Sequence, residues 1–184
     1  MPSGLLLNIA FVLAALLAAP TPALAAPDEA SGSLPVMALE STMPGFWQPR
    51  ARLLTGGQPT MDAWSLMGAA GVQTIINLRT DEELGGRDEA AEVAAAGLAY
   101  RQLPVAGAGD ITAANALALW RLIDQADGTV VVHCASGNRV GALLALGAAQ
   151  QGMDTEAAVA FGKAAGLGNA ETRVREVLAA PRSP

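Results

Sequence analysis

Short runs of β-branched residues alternate with segments of helical periodicity along most of the chain. The continuous apolar runs Val72–Leu78 and Val130–Val132 are typical of buried strands. Between the runs, apolar residues recur at intervals of three and four, often preceded by Thr or Asp and followed by Gly. The pattern predicts strands at 53–55, 72–78, 99–105 and 130–132, and helices at 60–70, 88–96, 112–128, 140–151, 154–165 and 170–180.

This alternation of strands and helices predicts an α/β domain with a mainly parallel central sheet flanked by helices. Ligand sites in such sheets lie beyond the carboxyl ends of the strands. Arg79, Asp110 and Cys134 each follow a predicted strand. We therefore expect these three side chains to lie near one another.

The N-terminus has the pattern of an export signal. An apolar stretch at 5–19 is followed by Ala23-Leu24-Ala25, which has the small-x-small form of a signal-peptidase site. The n-region contains no Lys or Arg, so an uncleaved anchor is the alternative, but a stretch of about 15 residues is short for a membrane span of roughly 20. We predict a signal peptide at 1–25, a flexible leader at 26–45 and one catalytic domain at 46–180, exported to the periplasm or secreted and free of the membrane after cleavage.

Charge and residue counts narrow the classes of partner. The chain has 11 Lys and Arg against 17 Asp and Glu, a formal net charge of −6, which argues against nucleic acid. One His and one Cys cannot build a zinc site, and no cofactor motif is present, so we expect neither metal nor cofactor. The lone Cys cannot form an internal disulfide. We expect a monomer that acts on a small anionic substrate or a phosphoprotein.

The segment from His133 to Arg139 carries the candidate chemistry. It follows a Val-rich strand and precedes a helix, a geometry in which backbone N–H groups and the helix dipole favour a bound anion. These groups and the Arg139 guanidinium also favour the ionised thiolate of Cys134. Gly137 permits a sharp turn. Cys134 is the candidate nucleophile and Arg139 the oxyanion binder, with His133 and the loop residues Ala135, Ser136, Gly137 and Asn138 at the substrate. The alternative is a buried structural cysteine beside a core histidine.

Four segments together resemble one protein family. Gly57-Gln58-Pro59-Thr60, Gly71–Arg79 with Glu82-Glu83, Leu103-Pro104-Val105 and His133–Arg139 are similar to the beta-lactamase hydrolase-like protein, phosphatase-like domain family, over about 52–166. The resemblance implies a protein-tyrosine-phosphatase-like fold. It also implies a cysteine-dependent phosphatase-like hydrolase that forms a phosphocysteine intermediate.

Two features of the loop keep a second chemistry open. Four residues separate Cys134 from Arg139, as in rhodanese-type sulfurtransferases, where tyrosine phosphatases have five. Val140 stands where those phosphatases usually have a hydroxyl residue. A sulfurtransferase would carry sulfane sulfur as a Cys134 persulfide. A third possibility is a non-catalytic module that binds an anion or a phosphoprotein.

Two polar residues outside the loop have two interpretations each. Asp110 lies on a Gly-flanked loop and is the candidate general acid, or it caps the helix that starts near Thr112. Arg79 extends the anion site, or it forms a structural ion pair with Glu82 or Glu83.

Overall fold

The structure, a computed structural model, describes residues 39–180. The expected signal peptide at 1–25 and leader residues 26–38 lie outside the described residues. The strands are β1 Trp47–Arg50, β2 Leu53–Gly56, β3 Val72–Asn77, β4 Ala99–Gln102 and β5 Thr129–His133. The helices are α1 Ala63–Ala69, α2 Asp81–Leu84, α3 Glu89–Ala95, α4 Ala113–Asp124, α5 Asn138–Gln150, α6 Thr155–Ala164 and α7 Glu171–Ala179.

The five strands form one sheet in the order β1-β2-β5-β3-β4. All neighbours pair in parallel except β1 and β2. The expectation of a mainly parallel α/β fold is confirmed. The antiparallel edge strand β1 was not predicted, because Trp-Gln-Pro-Arg is only four residues long, contains a proline and has no β-branched residue.

Strand β5 lies at the centre of the sheet and contributes to the cores on both faces. Val130 and Val132 pack in one apolar cluster, with Leu143 and Leu146 of α5, whereas Val131 packs in the other, with Trp64 of α1. Successive side chains of a strand point to opposite faces, so a strand covered on both sides needs apolar residues throughout. The Val run is therefore the physical reason that the strand before Cys134 is central.

The expected flexible leader is wrong for its described part, residues 39–45. Leu39 and Met43 are each only 1% exposed and belong to the core cluster around Trp64. Thr60 N–H donates to the carbonyl of Thr42 at 2.9 Å. Two apolar anchors four residues apart are enough to dock this short segment, and the domain therefore begins before residue 46.

Among residues 39–180, no helix has both the length and the hydrophobicity needed to cross a bilayer.

Candidate functional site

The carboxyl ends of three neighbouring strands meet at the loop that follows β5. His133, the last residue of β5, is in register with Gly56 of β2 on one side and Asn77 of β3 on the other. Cys134 N–H then donates to the carbonyl of Gly56 at 3.3 Å, which continues the ladder by one step. Backbone pairing with β2 and β3 is thus sufficient to fix the position of Cys134.

Cys134 lies at the base of the loop formed by residues 134–139. Its Sγ accepts a hydrogen bond from the N–H of Gly137 at 3.2 Å. The residue is 1% exposed, whereas Ala135 and Ser136 are exposed. A sulfur atom at the base of such a loop suits attack on a small tetrahedral group that enters the loop.

The loop is braced from the side of the Gly57-Gln58-Pro59-Thr60 motif. Gly57 and Ser136 form an isolated antiparallel bridge. Gln58 N–H donates to the carbonyl of Ala135 at 3.3 Å. This motif, one of the four segments that carry the family resemblance, therefore supports the nucleophile loop from the neighbouring strand β2.

Gly137 has φ +85°, a left-handed backbone conformation that favours glycine. A Cβ at this position would lie 2.4 Å from Cζ3 of Trp47. The same indole would meet a Cβ at Gly45 and at Gly166, which also have positive φ. Trp47 therefore packs against the backbone of the nucleophile loop, and three glycines make room for its ring.

Arg139 is held by the carboxylate of Glu83 and the carbonyl of Val105, which engage one edge of its guanidinium. Nη2 and Nη1 donate to Glu83 Oε1 and Oε2 at 2.7 and 2.8 Å, and Nη1 also donates to the carbonyl of Val105. A guanidinium has five N–H groups in a planar fork. Glu83 and Val105 accept from Nη1 and from one Nη2–H, which leaves the Nε–H and the outer Nη2–H to the hydrogen bond that Arg139 makes with Cys134 and to a ligand. These two donors form an edge that can bind two oxygens of one oxyanion.

The electrostatics of this group link it to Cys134. The hydrogen bond from Arg139 holds the pKa of Glu83 at about 2 although partial burial opposes this shift. The hydrogen bond to Glu83 raises the pKa of Arg139 against burial, and the interactions with Cys134 add to the effect. Arg139 therefore stays charged beside the sulfur.

Glu83 is a functional residue that the sequence did not assign to Arg139. It lies in α2, a short helix that the sequence pattern did not predict. The Thr80 hydroxyl accepts from Glu83 N–H at 3.3 Å, and Glu83 Oε2 accepts from Thr80 N–H at 3.1 Å. Such a capping box was readable as Thr followed three residues later by Glu. The pairing of Glu83 with Arg139 could not be predicted from this local pattern.

Arg79 forms structural contacts rather than facing open solvent. Nη1 donates to Gln58 Oε1 at 2.6 Å, and Nη2 donates to the carbonyl of Glu83. Its Nε lies 3.8 Å from Glu83 Oε1. Of the two carboxylates expected as partners, Glu83 is the one it contacts. A direct role for Arg79 in anion binding stays a prediction.

His133 is fully buried and pairs with a buried carboxylate. Its Nε2 lies 2.9 Å from Oε1 of Glu89, whose Oε2 accepts from Gln58 Nε2 at 2.6 Å. Burial raises the pKa of Glu89, but the hydrogen bonds from His133 and Gln58 and the charges of His133 and Arg87 outweigh it and lower the pKa overall. The sequence pattern did not indicate this contact of Glu89, because an acid in the first turn of a helix is usually explained by solvent exposure and by its favourable interaction with the helix dipole.

These contacts form one continuous chain behind the loop, made of side chains and of the Glu83 carbonyl that accepts from Arg79. It runs from His133 through Glu89, Gln58, Arg79 and Glu83 to Arg139. Its two ends are the residue before Cys134 and the residue that closes the loop. The chain therefore fixes both ends of the nucleophile loop relative to the sheet.

Asn138 faces the α6–α7 connection. Its Oδ1 accepts from the N–H groups of Gly168 and Ala170 at 2.8 and 3.2 Å, and its Nδ2 donates to Asn169 Oδ1 at 2.7 Å. The side chain expected at the substrate thus fixes the segment 168–170 beside the nucleophile loop.

Asp110 ends a short 3₁₀ turn, Ala108–Asp110, in the loop after β4. Its Oδ2 accepts from Ala106 N–H at 2.8 Å. The alternative that Asp110 caps α4 is wrong, because Thr112 is the N-cap and its hydroxyl accepts from Asn115 N–H at 3.2 Å. A hydroxyl directly before the first helical residue occupies the capping position, and Asp110 is two residues too early.

Among residues 39–180, no three His, Cys, Asp or Glu side chains lie close enough to bind one metal ion.

Comparisons with known proteins agree with this geometry. The profile of the family described as "Beta-lactamase hydrolase-like protein, phosphatase-like domain" matches residues 55–151. A beta-lactamase hydrolase-like protein of Xylella fastidiosa is 40% identical over 139 residues, which are 71% of this chain and 32% of that protein. The chain therefore spans about a third of the length of this curated relative.

Solved structures share the fold. A candidate phosphatase from Neisseria meningitidis is 26% identical, with a TM-score of 0.61 over 71% of this chain and 96% of that one. A DUF442 candidate phosphatase from Shewanella putrefaciens is 24% identical, with a TM-score of 0.59 over 77% of this chain and 95% of that one. The expected tyrosine-phosphatase-like fold is thus confirmed. Since the profile covers more than half of the sequence and includes the whole nucleophile loop, the chain belongs to the beta-lactamase hydrolase-like protein, phosphatase-like domain family.

Proposed function

We propose that this protein is a cysteine-dependent phosphatase that hydrolyses a phosphate monoester through a phosphocysteine intermediate. The observation that carries the proposal is the position of Cys134 Sγ, which accepts the Gly137 N–H at 3.2 Å beside the charged guanidinium of Arg139. A thiolate surrounded by donors of this kind is a nucleophile aimed at an oxyanion.

The first step transfers the phosphoryl group to sulfur. The Cys134 thiolate attacks phosphorus, the P–S bond forms and the ester P–O bond breaks. The Nε–H and outer Nη2–H edge of Arg139 and the loop amides bind the equatorial oxygens, whose charge must be stabilised in the transition state. Asp110 supplies a proton to the departing ester oxygen.

The second step returns the enzyme to its starting state. Water attacks the phosphocysteine, the P–S bond breaks, and phosphate and the Cys134 thiolate separate. Asp110, now ionised, accepts the proton from the attacking water. For Asp110 to act, its carboxylate has to break the hydrogen bond that it accepts from the Ala106 N–H in this structure. The short Gly-containing turn before it can accommodate such a movement.

The test is mass spectrometry of the acid-quenched protein after incubation with 4-nitrophenyl phosphate. We expect a phosphoryl adduct on Cys134, the sole cysteine. Cys134→Ser should remove turnover, and Arg139→Ala should lower it by roughly a thousandfold, because an oxyanion donor is lost. Full activity in either variant contradicts these roles.

A parallel incubation with thiosulfate examines the alternative chemistry. The four-residue spacing between Cys134 and Arg139 is the feature that favours a persulfide carrier. A stable sulfur adduct without phosphate ester hydrolysis would replace the proposal by sulfur transfer. If the Cys134→Ser variant bound phosphate esters as tightly as the parent protein and the parent protein did not hydrolyse them, the phosphatase proposal would be replaced by that of a binding module.

Ionisation of the sulfur can be measured directly. Since Cys134 is the sole cysteine, the pH dependence of its alkylation by iodoacetamide reports on one thiol. We expect rapid alkylation at neutral pH that phosphate or vanadate prevents. A thiol that stays unreactive until alkaline pH would contradict the proposed nucleophile.

The cellular context belongs to the proposal as well. The N-terminal pattern favours an exported, periplasmic or secreted enzyme. The acidic composition and the anion-binding loop favour a small anionic ester or a phosphoprotein as substrate rather than nucleic acid.

A further inference from the structure

A cleft of about 550 Å³ opens beside the nucleophile loop. Arg139 lines it together with Asn138, and so does Arg173 of α7. Ile111 and Ala108 line it as apolar residues. The cleft is therefore lined by two arginines, Arg139 of the nucleophile loop and Arg173, and by apolar residues.

The wall formed by the α6–α7 connection is fixed in place. Asn138 holds the N–H groups of Gly168 and Ala170 and the side chain of Asn169. Because Asn138 is the first residue of α5 and directly precedes Arg139, the distance between the loop and this wall is set by hydrogen bonds. A cleft with one fixed polar wall and an apolar lining has the character of a small-molecule site.

Arg173 is available to a ligand. Its Nε donates to the carbonyl of Ala108 at 3.2 Å, and its Nη1 lies 3.3 Å from Glu176 Oε2. The two side chains of this pair are 36% and 60% exposed, and such exposed pairs contribute little. Among residues 39–180, no hydrogen bond involves Nη2 of Arg173. The contact with Ala108 orients the guanidinium at the cleft, and Glu176, which lines the same cleft, is the exposed carboxylate that a second anion would displace from Arg173.

We propose that this cleft binds the organic portion of the substrate and that Arg173 recognises a second anionic group on it, a carboxylate or a second phosphate. The inference rests on the proposed phosphatase function, because the first anion is the phosphoryl group held by Arg139. The substrate class is a phosphate monoester with a compact apolar body and a second negative charge. The second guanidinium adds selectivity between phosphate esters, because only an ester with a second negative charge gains a charge-assisted hydrogen bond to Arg173.

The test compares binding of phenyl phosphate with binding of 3-carboxyphenyl and 4-carboxyphenyl phosphate by titration calorimetry. The protein is the full chain with Cys134→Ser, which prevents turnover. We expect at least one carboxylated ligand to bind about tenfold more tightly than phenyl phosphate, as a charge-assisted hydrogen bond allows. Adding Arg173→Gln should abolish the preference, and Arg173→Lys should retain part of it.

Arg175→Gln is the matched control on the same helix. Arg175 pairs with Glu156 and Glu171 rather than lining the cleft. This variant should keep the preference for the carboxylated ligand. Equal binding of all three ligands, binding of none, or loss of the preference in Arg175→Gln as well would overturn the proposed subsite.

Turnover of the same three esters by the protein with Cys134 separates the two proposals. Hydrolysis without any binding preference overturns the second-anion subsite and leaves the phosphatase proposal intact. Preferential binding without hydrolysis overturns the phosphatase proposal and leaves the subsite intact. Circular dichroism and the thermal midpoint of each variant verify that it is folded.

Discussion

Glu83 and Arg139 form a bidentate pair, with two N–O distances of 2.7 and 2.8 Å. The pair aligns the guanidinium beside Cys134, with which Arg139 also forms a hydrogen bond, and in the proposed mechanism the edge with Nε–H and the outer Nη2–H binds the oxyanion. An arginine alone would distribute among many rotamers, so the carboxylate reduces the entropy lost when substrate binds.

Glu83→Gln is expected to lower kcat/KM for 4-nitrophenyl phosphate by roughly tenfold to a hundredfold, because misorientation of a positioning group has effects of this size. Steady-state kinetics measure it. Glu82→Gln is the control, since the adjacent side chain is exposed, and it should behave like the parent protein. Equal rates for both variants would mean that Arg139 is positioned without Glu83.

The same pair makes stability depend on pH. The pKa of Glu83 is about 2 in the folded chain, against an ordinary value of 4.5. Because the folded-state pKa is the lower one, the pair stabilises fully above pH 4.5 and loses this contribution as the pH falls toward 2. Since the carboxylate is 29% exposed, screening limits the loss to about 2 kcal/mol.

Urea unfolding at several pH values measures this effect. The free energy of unfolding of the parent protein should fall more steeply between pH 4.5 and 2 than that of Glu83→Gln. Parallel curves for the two proteins would show that Glu83 titrates normally in the folded state.

Glu89→Gln is expected to destabilise the domain by about 1–3 kcal/mol. The single amide oxygen of Gln cannot replace two carboxylate oxygens, so either His133 Nε2–H or Gln58 Nε2–H loses its buried acceptor. Denaturant unfolding measures the change, and Glu82→Gln again provides the exposed control. Unchanged stability would mean that Glu89 is protonated in the native chain and already donates one hydrogen bond.

Gly137→Ala is expected to cost more stability than Gly71→Ala. The two glycines have φ of +85° and +83°, so each substitution carries the same backbone cost, on the order of 1–2 kcal/mol. Only Gly137 faces the Trp47 ring, because a Cβ at Gly71 meets no atom within 4 Å. We expect a further loss of about 1–3 kcal/mol at Gly137 and a loss of turnover in that variant alone.

A double-mutant cycle isolates the contact. Trp47→Leu removes the ring edge that a Cβ at Gly137 would meet. The two substitutions should therefore be less destabilising together than the sum of their separate effects. Additive effects would show that the loop tolerates the alanine without touching Trp47.

Asp110→Asn is expected to slow hydrolysis of phenyl phosphate far more than that of 4-nitrophenyl phosphate. The nitrophenolate ion departs without a proton, whereas a phenolate needs the general acid. The ratio of the two kcat values, compared with that of Asp124→Asn at the exposed end of α4, provides the readout. An unchanged ratio would remove Asp110 from the proton transfer.

The sequence by itself determined the central architecture and the nucleophile loop. The Val run before His133 is typical of a strand buried on both faces. Because parallel strands are joined by crossover helices, the order of strands and helices could be predicted from the sequence. Cys134, Gly137 and Arg139 are contiguous with that strand, and their placement follows from local backbone geometry.

Only the tertiary structure decided what surrounds that loop. The partners of Arg139, His133 and Gly137 are Glu83, Glu89 and Trp47, which lie 56, 44 and 90 positions earlier in the sequence. From local patterns, Glu83 is an acid in a loop, Glu89 is an acid in the first turn of a helix and Trp47 is a residue of an edge segment. Propensity and periodicity extend over only a few residues, so they do not indicate these distant contacts. The parallel sheet brings the carboxyl ends of β2, β3 and β5 to one edge, and there the distant side chains become neighbours.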